Sequence, residues 1–349
     1  MHKDLTLFYN SQMISGSKPK TVVLLVNLGT PSQPTEEQVR IYLREFLSDK
    51  DVIRLPRIFW LPILHLIILK VRPKKSAELY KKVWTDWGSP LLYNTFLQAG
   101  LLRKKLHSEF IIDVAMRYGS PSIKSLMMKY SKLGYSNILF LPMFPQYSTT
   151  TTKSIANQIS RILKKERIFL GDKSIGFIKD FHDNKDYIHS SVSHIQSYQQ
   201  IHGKPEKLLL SFHGIPKSYV GDDEPYQTQC IKTARLIAEK LKLSKNEYEI
   251  VFQSRFGKAE WIQPYLAERL EKLPSEGILN IQVYCPGFSS DCLETIEEIG
   301  EESRDLFIDS GGKIYNFIPC LNGDDKFIET LVSLIRNHDN HSIDFRDLL

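Results

Sequence analysis

Short, continuous apolar runs recur along this chain, each closed by a turn residue and followed by a stretch of helical periodicity. The runs are Thr21–Leu28, Ile111–Met116, Ser136–Leu141, Lys207–Phe212, Tyr248–Gln253 and Ile278–Cys285. Between them lie amphipathic stretches at Glu36–Leu47, Ser122–Leu133, Gln227–Leu241 and Ile262–Lys272. A strand that is apolar without alternation has both faces covered, which is the mark of a parallel sheet between helix layers. The pattern predicts an α/β, doubly wound architecture.

An internal echo refines that expectation. Leu24–Pro31 reads LLVNLGTP and Leu208–Pro216 reads LLLSFHGIP, each a buried strand running into a Gly-x-Pro turn. The echo predicts two similar Rossmann-like domains with parallel sheets and a cleft between them, lined by loops at the carboxyl ends of strands. The expected layout is a loose arm over 1–20, a first domain over 21–171 with 325–349 packed back on it, and a second domain over 172–324.

One segment departs from the pattern. Leu55–Val71 is strongly apolar and is bounded by Arg54, Arg57, Lys70, Arg72, Lys74 and Lys75. Pro62 interrupts it, so its unbroken part falls short of the ~20 residues that span a bilayer. It fits a buried core helix, or an apolar lip whose basic flanks meet anionic headgroups at a membrane surface. Such a lip would also enclose a large, flat, apolar ligand.

Composition narrows the class. A chain of 349 residues with 42% hydrophobic and 25% charged residues is an ordinary globular protein of about two domains, not a disordered or collagen-like one. Its four cysteines, Cys230, Cys285, Cys292 and Cys320, form no C-x-x-C pair, which points to a reducing compartment and away from a zinc knuckle. A net charge of +6 is too small to indicate nucleic acid. Met1–Lys20 lacks the apolar core of a signal peptide, so a cytoplasmic location is expected, with peripheral membrane contact through 55–71. Neither G-x-G-x-x-G nor G-x-x-x-x-G-K-[ST] occurs, which removes the main support for dinucleotide or nucleoside triphosphate chemistry. The Thr149–Thr152 run suits a helix cap.

Candidate chemistry sits in two places. His213 follows the Leu208–Phe212 run directly and precedes Gly214, which puts an imidazole where α/β enzymes hold their reacting groups. It is either a hydrogen-bonded structural residue or a proton acceptor or metal ligand. The second place is Ser290–Glu302. Asp291 and Glu294 have capping-box spacing, while Glu294, Glu298 and Glu302 recur at i, i+4, i+8. Such a ladder faces solvent, or it conducts protons or hard cations along oxygen ligands. Gln253-Ser254-Arg255-Phe256-Gly257 with Trp261 suits a flat ligand with a polar rim.

These segments together resemble the ferrochelatases, enzymes that insert ferrous iron into a porphyrin. The ordered motifs are LLVNLGTP, WGSP at Trp87–Pro90, MRYGSP at Met116–Pro121, LPMFPQYS at Leu141–Ser148, SFHGIP, FQSRFG with Trp261, and YCPGFSSDCLETIEEI. The resemblance runs from about Thr21 onward. It implies insertion of Fe²⁺ into protoporphyrin IX to form protohaem, the last step of haem biosynthesis. A coproporphyrin ferrochelatase, another metal chelatase or a non-catalytic tetrapyrrole carrier are the alternatives. His213 and Glu294 match the family's catalytic and metal-handling pair, and Asp291, Glu298 and Glu302 its metal or proton path. Leu28, Arg72, Tyr80, Ser89, Arg117, Tyr118, Ser254 and Trp261 match its porphyrin contacts, and 55–71 its lip.

Two departures stand out. Cys292 occupies a position that is histidine in many members, and the chain carries no cysteine-bearing tail of the kind that holds an iron–sulfur cluster. The expectation is therefore no permanently bound cofactor, no iron–sulfur cluster and iron as substrate. The expected partners are protoporphyrin IX, a porphyrin-donating enzyme and a membrane surface, with no nucleic acid.

Overall fold

The computed structural model describes residues 21–135, 137–166, 175–221, 223–257, 259–338 and 342–344. The expected arm over 1–20 and the expected boundary at 171/172 lie outside them. Two compact units emerge. The first comprises the described residues up to Met143, Ser148–Lys179 and those from Leu331 on; the second comprises Phe144–Tyr147 and Asp180–Thr330.

In the first unit the chain runs through β1 (Thr21–Gly29), α1 (Glu36–Leu47), α2 (Arg57–Ile63), α3 (Leu69–Val83), α4 (Pro90–Leu106), β2 (Phe110–Tyr118), α5 (Ile123–Lys132), β3 (Asn137–Pro142), α6 (Ser154–Lys165) and β4 (Ile175–Ile178). The sheet order is β2-β1-β3-β4, all parallel, and Ser342–Asp344 adds an antiparallel edge to β4. Val22–Val26 of β1 is wholly buried, as expected for a central strand covered on both faces. α1 begins where Thr35 accepts the Gln38 N–H and Glu36 and Glu37 meet the positive end of the helix. Gly29 closes β1 at φ 114°, where a Cβ would lie 1.8 Å from the Tyr118 carbonyl oxygen, so only glycine lets β2 pass so close.

The second unit repeats the scheme with α7 (Lys185–His202), β5 (Lys207–His213), α8 (Tyr226–Leu241), β6 (Tyr248–Gln253), α9 (Leu266–Lys272), β7 (Asn280–Tyr284), α10 (Ser303–Asp309), β8 (Ile314–Ile318) and α11 (Asp325–Arg336). The order is β6-β5-β7-β8, again all parallel. In each sheet the first strand in sequence has the second on one side and the third on the other, so the winding direction reverses at that strand. The carboxyl end of such a strand is where α/β folds bind ligands. LLVNLGTP is that strand in the first unit, and LLLSFHGIP in the second.

Every apolar run read as a strand forms one, and the α/β, doubly wound class holds. Two expectations need correction. The stretch Ile262–Lys272 becomes helical only at Leu266, because the Pro264 carbonyl accepts the Phe252 N–H at 2.8 Å and Tyr265 bridges to Phe252. The ladder segment is no ordinary α-helix: Glu294–Glu302 is π-helical.

Candidate active site

His213 ends β5, the strand at which the second sheet reverses. Its backbone is fixed from two sides. The Tyr226 hydroxyl donates to the His213 carbonyl at 3.0 Å, and the Gly214 N–H donates to the Gln253 carbonyl at 2.8 Å. A Cβ on residue 214 would sit 2.9 Å from that carbonyl oxygen and 3.1 Å from the Trp261 ring, which explains the glycine. Nδ1 of His213 lies 2.7 Å from the Gly214 carbonyl oxygen. A carbonyl only accepts, so in the neutral ring Nδ1 carries the hydrogen and Nε2 keeps its lone pair. The Trp261 ring stands 6.4 Å from the imidazole, held by hydrogen bonds in both directions between its backbone and the Tyr265 hydroxyl, each 3.1 Å.

Beside the histidine lies the start of the π-helix. Gln253 accepts from the Ser211 hydroxyl at 2.8 Å and donates to the Glu294 carbonyl at 3.3 Å, tying β5 and β6 to that start. Ser254 follows at φ 65° and gives Glu298 its N–H at 2.7 Å and its hydroxyl at 2.5 Å. Burial pushes the Glu298 carboxyl above the usual carboxylate range. The Ser254 bonds and the charge of His213 pull the other way, and Glu294 pushes it up again. His213, Glu294, Glu298 and Ser254 are thus one electrostatic neighbourhood. Glu294 and Glu298 are partly exposed and Glu302 is exposed, so the carboxylates grade outward to solvent. Long π-helical segments are rare and concentrate at functional sites.

Asp291 is buried and turned toward the protein. Its carboxylate accepts the Thr295 hydroxyl at 3.0 Å, the Cys320 N–H at 3.1 Å and the Asn322 side-chain amide at 2.6 Å. Cys292 is buried too. Burial pushes its thiol up, and the neighbouring Glu294 carboxylate adds to the effect. The thiols of Cys230, Cys285 and Cys320 are raised by burial in the same way.

In the first unit, Arg117 and Tyr118 are buried. The Arg117 guanidinium contacts the Asp49 carboxylate, donates to the Ser154 hydroxyl at 2.8 Å and stacks 4.4 Å from the Tyr118 ring centre. Tyr118 and Ser154 donate to the same Asp49 oxygen at 2.9 and 2.8 Å. Leu28 is partly exposed at the end of β1, and its N–H is held by the Asn27 side chain at 2.9 Å. Arg72 is partly exposed on α3, whereas Tyr80 is buried on the same helix and Ser89 is buried as the cap of α4.

A family model described as ferrochelatase matches residues 20–339. The chain belongs to the ferrochelatase family. It is 45% identical over 327 residues to the ferrochelatase of Idiomarina loihiensis, spanning 93% of this chain and 89% of that one. To the ferrochelatase of Marinobacter nauticus it is 47% identical over 320 residues, spanning 90% and 86%. Its fold is similar to that of the sirohydrochlorin chelatase SirB from Bacillus subtilis subspecies spizizenii in complex with cobalt. That likeness has a TM-score of 0.51 and 11% identity, and covers 93% of this chain and all of the other. Family membership makes the chain a lyase that inserts ferrous iron into protoporphyrin IX to give protohaem. The alternative chelatase and carrier readings are not favoured.

The apolar segment 55–71 has two faces, one buried and one exposed. Trp60, Leu64 and Leu69 pack inward, with the Trp60 indole N–H donating to the Leu47 carbonyl at 2.7 Å. Ile58, Phe59, Leu66, Ile67 and Val71 are each more than half exposed, at 77%, 68%, 63%, 55% and 71%. A π-helical turn at Leu64–Ile68 links α2 to α3. Among the described residues no helix is long and apolar enough to cross a membrane.

Sequence reasoning missed Asp49, Ser154 and Asn322, none of which stands in a motif of its own. It also missed the Asp180, His182 and Asp183 trio, whose ligand-type atoms lie within 4.8 Å of one another. Lys232 pairs with Asp183 at 2.5 Å and Gln229 donates to Asp180 at 3.3 Å, so protein donors already occupy those carboxylates.

Proposed function

We propose that His213 and Glu294 are the groups that perform iron insertion in this chain. The observation that carries this assignment is the His213 ring. With Nδ1 committed to the Gly214 carbonyl, Nε2 presents a lone pair beside a graded set of carboxylates. Insertion must remove two pyrrole protons and strip water from Fe²⁺. Imidazole is the side chain most often used as a general base, and the same lone pair suits iron as a first ligand. Glu294, a hard oxygen donor, meets the metal. Glu298, raised by burial, binds a proton more readily than an exposed glutamate, and with exposed Glu302 it carries protons outward.

The motifs of the family resemblance assign porphyrin contacts to Trp261 and Ser254, and likewise to Leu28, Arg72, Tyr80 and Ser89. Arg117 and Tyr118, assigned by the same motifs, are held in place by the Asp49 network. Binding energy from such contacts is available to bend the ring and expose its nitrogen lone pairs. The outward apolar face at 58–71 meets a membrane surface from the cytoplasmic side, where a porphyrin-donating enzyme delivers its product. Iron enters as substrate.

The test is His213→Asn, which keeps a polar side chain but no base. Porphyrin titration should match the parent while insertion stops. Turnover at the parent rate would remove His213 from the chemistry.

A further inference from the structure

Asn322 lies four residues beyond β8, at φ 46°, a left-handed conformation that asparagine tolerates better than most residues. That backbone turns its side chain onto Asp291, and the two residues exchange hydrogen bonds. Asn322 Nδ2 donates to Asp291 Oδ2 at 2.6 Å, and the Asp291 N–H donates to Asn322 Oδ1 at 2.8 Å. A third bond, from the Asn322 N–H to the Ser289 carbonyl at 3.1 Å, locks the same two segments together. On its other oxygen Asp291 holds the Thr295 hydroxyl, one residue past Glu294, and the Cys320 N–H. Every contact that the structure gives the Asp291 carboxylate therefore anchors the start of the π-helix to the 320–322 loop.

We propose that Asn322 is a positioning residue for Glu294 and Glu298, and that Asp291 acts through its pair with Asn322 rather than by carrying metal or protons itself. The inference rests on the metal-insertion role proposed above for Glu294. Neither residue has to touch a substrate. Their task is to fix the entry of the helix from which the acidic groups project, and small displacements of reacting groups cost large factors in rate.

The pair can be tested by exchanging its members. Asp291→Asn alone sets two amides against each other, and Asn322→Asp alone sets two carboxylates against each other. In the double exchange, the amide at 291 donates to the carboxylate at 322. The carbonyl at 291 accepts from Thr295 and Cys320, and the backbone N–H of 291 still has its acceptor. Each single variant, and Asn322→Ala, should lower kcat by roughly ten- to a hundredfold, the range for a lost bond to a charged group, with the KM for porphyrin unchanged. The double exchange should return kcat to within about threefold of the parent, because the two sites couple.

An exchange no faster than Asp291→Asn alone would show that the carboxylate itself is needed at 291 and would overturn the proposal, as would parental kcat in Asn322→Ala. Should the single variants fail to fold, a folded and active exchange supports the pair, and an unfolded one overturns it. Failure of the metal-insertion role would look different: Glu294→Gln would turn over at the parent rate, and the positioning role would fall with it.

Discussion

Ser254 gives Glu298 both of its hydrogen-bond donors, the backbone N–H at 2.7 Å and the hydroxyl at 2.5 Å, from a backbone at φ 65°. A residue other than glycine rarely holds that conformation, and when it does the surrounding structure sustains the strain. Here the strained turn directs two donors at an acid that burial drives toward its neutral form. Ser254→Ala should remove one of them. The Glu298 carboxyl then rises further, and the acid limb of the pH–rate profile moves to higher pH. On that limb the rate should drop about tenfold or more, the cost of one hydrogen bond to a charged acceptor. A profile superimposable on the parent's would show that Glu298 does not titrate in the reaction.

The Asp49 network should govern acid stability of the first unit. Burial pushes the Asp49 carboxyl up, but Arg117, the Asp51 N–H, Ser154 and Tyr118 outweigh it and hold the group below its ordinary 3.8. A depressed native pKa means that the unfolded chain takes up protons first as pH falls. The stability contributed by Asp49 is present above about pH 4 and is lost as pH drops through the native pKa. Asp49→Asn strands the buried Arg117 charge and should cost ~3–5 kcal/mol at pH 7. Urea unfolding at pH 7 and in acid should show the two proteins far apart at pH 7 and converging in acid. A constant gap would contradict the network.

The lip gives a separation of surface from core. Replacing Ile58, Phe59, Leu66 and Ile67 with serine should abolish flotation with anionic vesicles and leave the melting temperature near that of the parent, because these side chains are exposed. Leu64→Ser, at a fully buried position, should instead cost about 2–5 kcal/mol, as core truncations do. Undiminished flotation of the fourfold variant would remove the membrane role from this face.

The elements that packing dictates were readable in the chain itself. β1 and β5 announce themselves because a strand covered on both faces has no polar alternation, and α1 because Thr35, Glu36 and Glu37 mark its start. β4, with four residues, and β8, interrupted by Asn316, are too short or too mixed to stand out from helix or loop. The candidate histidine and the acidic ladder each show in a motif of their own, because the residues within each motif are neighbours in sequence. Their supports do not. Asp49 is 68 residues from Arg117 and Asn322 is 31 from Asp291, so the partnerships exist only once the sheets have formed. Ser254 shows in its motif, but its two bonds to Glu298 do not, because its backbone does what glycine usually does. The wide turn of the π-helix is likewise invisible in an i, i+4 spacing that an α-helix would show equally well.

Iron insertion at His213 is the central claim, and one anaerobic experiment tests it most directly. The parent chain and His213→Ala are mixed with protoporphyrin IX and Fe²⁺, while free-porphyrin fluorescence and the haem absorption spectrum are followed together. The parent should lose the fluorescence as the haem spectrum grows. The variant should bind porphyrin to the same extent and form no haem. Haem formation by the variant at the parent rate, or porphyrin binding without insertion by the parent, would contradict the claim.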